Sequence, residues 1–299
     1  MFARNANLFP KKRKKPTVFD VLVFILLSLY TIFLFYLLLW ALMSSFKSQR
    51  AFNLDPAGWF NDFSLNSYSS VFTHLRVWVT KNGVGKYVYI EQMFLYSILY
   101  AGGCAIIQTL VTATVAYLTS KYKCLLSKIV HYSVIVTLIL PIVGNMSSMI
   151  QVLRALHLYD TMLGMYVLKF GYANIYYLIF YAAFSKIPKD YTESALVEGA
   201  GHFKIFTRIM LPIVTPLLGT VCLLLFINYW NDYQVPYVYL PSDPTAALGL
   251  YAILNVETEI AETPFKIASG IVVFVPILII FLIFKNKIMG NIEEGGIKG

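Results

Sequence analysis

Residues 21–43 read VLVFILLSLYTIFLFYLLLWALM and carry no charge from end to end. At about 1.5 Å of rise per residue, roughly 20 such residues cross the hydrocarbon core of a bilayer. The run is apolar on every side, so it predicts a helix solvated by lipid rather than one face of a soluble domain. Just before it stand Lys11, Lys12, Arg13, Lys14 and Lys15. The run is longer than the core of a secretory signal and has no small-residue cleavage site, so the reading is an uncleaved first span.

Five more apolar runs follow, at Met93–Ser120, Ile129–Leu153, Met162–Ser185, Met210–Trp230 and Ile267–Phe284. Pro141 and Gly144 break the third, and Lys169 interrupts the fourth. Hydrophobic residues make up 58% of the chain and charged residues only 13%, too few charges to wet a soluble surface of this length. The expected fold is therefore all-α and polytopic, with six transmembrane helices, because a span must satisfy its own backbone hydrogen bonds. Within the second run, Ala101 and Ala105 flank Gly102 and Gly103, a pattern that suits close helix approach.

The net charge of +9 is distributed as a topology signal and not as a nucleic-acid face. Sixteen basic residues fall at one set of span ends: Arg4 and Lys11–Lys15, Lys121, Lys123, Lys128, Lys186, Lys189, Lys204, Arg208, Lys285, Lys287 and Lys298. The opposite loops hold six: Lys47, Arg50, Arg76, Lys81, Lys86 and Arg154. Both termini are then cytoplasmic and the loop 44–92 is outside. Lys169 reads as an anchor that snorkels to the outer interface, with a pathway-lining charge as the sharper alternative.

No catalytic constellation stands out. His74, His131, His157 and His202 are scattered, and Cys104, Cys124 and Cys222 form neither a metal spacing nor a disulfide framework. Gly83-Val84-Gly85-Lys86 has the wrong spacing for a phosphate loop. No metal or cofactor is expected, and no enzymatic activity on this chain.

The informative stretch lies between the fourth and fifth runs, IPKDYTESALVEGAG at 187–201. Pro188 stops the preceding helix. Thr192 is placed to cap a short helix whose first turn bears Glu193. Ser194, Ala195 and Ala200 make a low-relief surface, and Gly199 and Gly201 permit a sharp bend. A second short helix runs through Phe203 and Phe206, and Pro212 opens the fifth span. The product is a compact helix-turn-helix knob at the membrane surface, suited to docking on a cytosolic partner.

Glu193-Ser194-Ala195, three residues, Gly199, nine residues, Ile209, one residue and Leu211-Pro212 together resemble the EAA loop of ATP-binding-cassette (ABC) importer permeases. Ser194 replaces the usual alanine, and Glu198 stands where aspartate is usual. Ile187-Pro188-Lys189, Tyr229-Trp230-Asn231-Asp232-Tyr233 with Pro236, and the tail Gly290–Gly299 are similar to the carbohydrate-uptake, maltose-permease-type branch. The resemblance covers the first span and most of the chain from Met93 onward.

That resemblance implies a type I ABC importer permease fold in the cytoplasmic membrane of a prokaryote. Residues 1–17 would be a basic cytoplasmic tail, and 18–290 the six-helix domain, with its core at 93–285 and its coupling loop at 187–209. Residues 291–299 would be a C-terminal tail reaching toward the ATPase. Glu193, Ser194, Ala195, Gly199, Ala200 and Gly201 would couple to a cytosolic ATPase dimer. A second homologous permease subunit would share a central path, and an extracellular solute-binding protein would meet the loop at about 241–264. For a sugar path the candidates are Gln108, Asn145, Gln151, Asn228, Trp230, Asn231 and Asp232, which offer hydroxyl-bonding groups or an aromatic face. Two alternatives differ in class: an ABC permease for a non-sugar solute, and a secondary transporter driven by an ion gradient. The second requires a charged residue at mid-depth, and no Asp or Glu lies in the six runs.

Overall fold

A computed structural model of the chain describes residues 17–59, 62–81, 83–140, 144–255 and 262–295, with side chains to 285. It is built almost wholly of helices. In chain order they are α1 (Val18–Ser45), α2 (Gln49–Leu54), α3 (Asn66–His74), α4 (Ile90–Lys121), α5 (Leu125–Ile139), α6 (Met146–Ala155), α7 (Met162–Leu168) and α8 (Ile175–Lys186). There follow α9 (Asp190–Val197), α10 (His202–Ile205), α11 (Leu211–Ile213), α12 (Thr215–Trp230), α13 (Gln234–Tyr239), α14 (Ala246–Leu254) and α15 (Thr263–Gly295). Between α3 and α4, β1 (Arg76–Lys81) and β2 (Val84–Tyr89) pair antiparallel, with Val77 opposite Val88. This hairpin departs from the all-α expectation.

Among the described residues, α1, α4 and α15 are long and apolar enough to cross a membrane. α1 begins on a capping box, in which Thr17 and Asp20 satisfy each other's backbone N–H groups. It buries little beyond Ser44 and Ser45 at its far end. The third expected span is two helices, α5 and α6; Gly144 has φ +86 between them, and Pro141 lies outside the described residues. The fourth is also two, α7 and α8, parted at Lys169.

The straight helix of the fifth expected span starts later than expected. A π-helical turn at Phe206–Met210 and α11 carry Pro212, and the axis then bends by 76° into α12. Pro216 in the first turn of α12 explains where the straight helix restarts, since proline needs no donor there. α15 runs past Gly290 to Gly295, so the expected boundary at 290 falls inside a helix. Residues 1–16, nearly all of the expected basic tail, lie outside the described residues, as do 256–261 of the loop expected at about 241–264.

α4 is the axis of the bundle. Its buried face is Tyr100, Ala101, Cys104, Ala105, Thr109, Thr112, Ala113 and Ala116, mostly small side chains that let α12 and α8 approach closely. Gly103 lies directly under the Tyr166 ring, where any side chain would collide. A second cluster at the hairpin end packs Val71, Leu75, Val79 and Val88 against Ile90, Met93, Ala246 and Phe265, fastening the hairpin to the bundle.

Candidate functional site

The knob is built as follows. Ile187 is extended (φ −70, ψ 125), as the residue before a proline must be, and α8 ends there. Lys121 Nζ donates to Ile187 O at 2.7 Å, which pins the helix exit to the end of α4. α9 then starts at Asp190, two residues before the expected cap. Thr192 does not cap it; its hydroxyl donates back to Lys189 O at 2.6 Å. Asp190 and Glu193 in the first turn complement the helix dipole instead.

The bend after α9 is a Schellman motif. Gly199 N–H donates to Leu196 O at 3.0 Å and Ala200 N–H to Ala195 O at 2.9 Å. Gly199 takes φ +81, a region in which glycine is nearly free of cost. Gly201 caps α10 at φ −70, a conformation open to any residue, so only Gly199 is required for the turn.

The knob has two sides. Ala195, Ile205 and Met210 are buried in the bundle core, so Ala195 holds the knob in place and is not offered to a partner. His202 Nδ1 and Tyr122 Oη lie 2.9 Å apart, and the Phe206 ring sits 4.8 Å from that of Tyr117. The free side presents Glu193, Ser194 and Glu198 together with Val197 (90% exposed) and Phe203 (79% exposed). Two large apolar side chains at that exposure, flanked by carboxylates, form an exposed apolar patch on this side of the knob. Composition alone does not single them out; what marks them is that the knob's other side is already used.

The expected path residues divide. Trp230 is 2% exposed; its indole donates to Val273 O at 3.2 Å and its ring stacks on Phe94. Val273 lies about one turn before Pro276, whose missing N–H leaves the carbonyl of Val272 without its helical partner. Trp230 therefore fills a helix contact and offers no surface to a solute. Asn145, Gln151, Asn228 and Asn231 are all exposed, and Asn231 Nδ2 donates to Ile227 O at 2.9 Å. Among the described residues, no hydrogen bond joins Asn145 or Gln151 to Asn228 or Asn231.

Deeper in the bundle, Gln108 accepts from the Tyr229 hydroxyl. Lys169 Nζ lies 4.4 Å from the Tyr229 ring centre, within cation–π range, so its head turns inward. Asp232 is occupied on both oxygens: Oδ2 accepts from Tyr100 at 2.8 Å and Oδ1 from Val235 N–H at 3.1 Å. Tyr100 and Tyr229 are aromatic anchors that their position in apolar runs disguises.

At the hairpin end of the bundle, Lys81 at the end of β1 pairs with Asp243 at 2.9 Å, and the carboxylate raises the lysine pKa above its usual range. Ser242 N–H donates to Asp160 Oδ1 at 2.9 Å. Asp160 has φ +59, which an aspartate tolerates better than most residues. These bonds staple the hairpin, the loop after α6 and the loop after α13 together.

Residues 109–288 match the family model described as "Binding-protein-dependent transport system inner membrane component". The diacetylchitobiose uptake system permease protein NgcG of Streptomyces coelicolor is 26% identical over 274 residues, 90% of this chain and 86% of that protein. The arabinooligosaccharides transport system permease protein AraQ of Bacillus subtilis is 25% identical, over 93% of this chain and 94% of the other. The maltodextrin transport system permease protein MalD of Streptococcus pneumoniae is 28% identical, over 90% and 92%. Among solved structures, a chain of a bacterial ABC transporter involved in import of the acidic polysaccharide alginate superposes with a TM-score of 0.73. It is 19% identical, covering 93% of this chain and 99% of that one.

Proposed function

Because the chain belongs to the family of inner-membrane components of binding-protein-dependent transport systems, we propose that it passes a sugar or oligosaccharide inward as the permease subunit of an ABC importer. The observation that carries this reading is the knob. Its bend at Gly199, its welded inner side and its free face of Glu193, Val197, Glu198 and Phe203 suit a cleft on a separate ATPase. The names of the relatives above support a saccharide cargo.

In this reading the chain crosses the cytoplasmic membrane six times, through α1, α4, α5 with α6, α7 with α8, α12 and α15. Both termini and the knob are cytoplasmic; the hairpin and the stapled loops are outside, toward an extracellular binding protein. A second permease subunit completes the path, and ATP hydrolysis is on the partner ATPase dimer. Closure of that dimer drives the knob, and the 76° bend between α11 and α12 passes the displacement to the span that carries Asn228 and Asn231.

Inward-facing Lys169 and Asp232 are the one observation in favour of an ion-driven carrier. Each already has a partner in the bundle, the Tyr229 ring for one and Tyr100 with Val235 for the other. Uptake into sealed vesicles separates the readings. Saccharide uptake that requires ATP and is stopped by vanadate supports the importer; uptake abolished by an ionophore while ATP is present refutes it.

A further inference from the structure

Beside the outer end of α12, the short helices α13 and α14 bring three tyrosines together. Tyr233 and Tyr251 stack with ring centres 4.3 Å apart and planes 16° from parallel. Tyr237, one turn beyond Tyr233 on the same side of α13, stands 6.0 Å from Tyr251 at 66°. The three rings form a corner of which Tyr237 is the open wall, 61% exposed. Among the described residues, no hydroxyl of the three has a hydrogen-bond partner. The adjoining turns expose Asn228, Asn231 and Gln234, and among the described residues the side chains of Asn228 and Gln234 have no hydrogen-bond partner.

The platform is held from behind. Asp232 caps Val235 N–H, Asp160 N–H donates to Tyr239 O, Ala246 N–H donates to Ser97 Oγ at 2.8 Å, and Gly249 is packed against Met93. A rigid aromatic corner with free phenols, and with exposed amides in the adjoining turns, has a specific chemical match. A pyranose has a flat face of C–H groups that lies on a ring, and a rim of hydroxyls that needs both donors and acceptors. Lipid asks for neither the mutual stacking nor the amides; an interfacial belt needs only single rings with a wet edge.

We infer that Tyr233, Tyr237 and Tyr251, with Asn228 and Gln234, form a saccharide-contact site on this subunit, at the outer mouth of the path. This rests on the sugar-importer reading above. The site lies apart from the buried Trp230, and it gives this chain a direct part in handing the cargo from binding protein to path.

The test uses the whole importer in proteoliposomes, with saturating binding protein and three probes: maltotriose, diacetylchitobiose and arabinotriose. Transport and ATP hydrolysis are measured together. Tyr237→Ala and Tyr251→Ala should lower the saccharide moved per ATP about three- to tenfold, the scale of one aromatic contact. Tyr237→Phe, which keeps the ring, should retain more than Tyr237→Ala. Should Tyr251→Ala reduce the amount of assembled importer, Tyr237→Ala decides alone, since that side chain is mostly in solvent. Wild-type ratios in both alanine variants, or equal damage from phenylalanine and alanine at 237, overturn the inference and leave the importer reading intact. If the unaltered importer moves none of the three probes, the sugar reading fails and this site with it.

Discussion

Substitution of Gly199 tests the mechanical link between knob and bundle, and its magnitude can be worked from the backbone. Gly199 has φ +81, and a Cβ placed there would meet nothing within 4 Å. Gly199→Ala therefore adds strain without a clash, about 1–2 kcal/mol for an ordinary residue in the left-handed region. That strain lowers the population of the native bend about 5- to 30-fold relative to relaxed alternatives. Asn tolerates the conformation better, so Gly199→Asn should retain more function than Gly199→Ala. Gly199→Trp adds bulk on the free face and should abolish uptake while the protein still inserts. Gly201→Ala is the internal comparison: φ is −70 there, so the loss should be smaller. The assay is ATP-dependent uptake in vesicles, normalised to membrane abundance, with recovery of the ATPase on purification. Wild-type uptake in all three position-199 variants would refute the argument that this bend transmits force.

Three other outcomes follow from the geometry. Tyr122→Phe and His202→Ala each remove a bond worth about 1 kcal/mol between knob and α4, and should lower transport per ATP without loss of ATPase binding; an unchanged ratio counts against the weld. The Lys81–Asp243 pair is at a half-exposed surface, so Asp243→Asn should cost at most about 1 kcal/mol. Because the lysine pKa is raised in the folded state, the pair's contribution is complete below the ordinary lysine range and is lost as pH climbs through the elevated value. On the alkaline side, thermal melting of wild type and Asp243→Asn should therefore converge only at strongly alkaline pH, and convergence already near neutrality would contradict the assignment. Trp230→Phe removes a donor and part of a buried ring, on the order of 1–3 kcal/mol, and should lower the thermal midpoint in detergent; an unshifted midpoint would show that the contact with Val273 is idle.

Much of this molecule is written plainly in its residues. The charge-free run 21–43 is α1 to within a few positions, because lipid solvation leaves a helix no alternative. The spacing from Glu193 to Leu211-Pro212 located the knob, since a bend at Gly199 depends on local backbone chemistry. Which side of that knob is free is a different matter. Ala195 and Val197 are two residues apart on one short helix, yet one is in the core and the other in solvent, and only the way the knob packs on the bundle core decides which. The same holds for Trp230, whose direction is set by a proline-bearing turn of α15 far along the chain. The hairpin carried a local signal in Asn82-Gly83 between Val77, Val79 and Val88, but hydropathy passes over it inside a polar loop. The tyrosine corner joins residues from two helices across a loop, and no period in the sequence marks it.

The central claim is that the side of the knob bearing Val197 and Phe203 faces the cytoplasm in the grip of an ATPase. A photo-crosslinking amino acid at position 197 tests it in intact cells. The predicted result is an adduct with the ATP-binding subunit that changes in yield when vanadate traps the nucleotide. No such adduct, together with labelling of Val197→Cys by an impermeant thiol reagent added outside the cell, would contradict it.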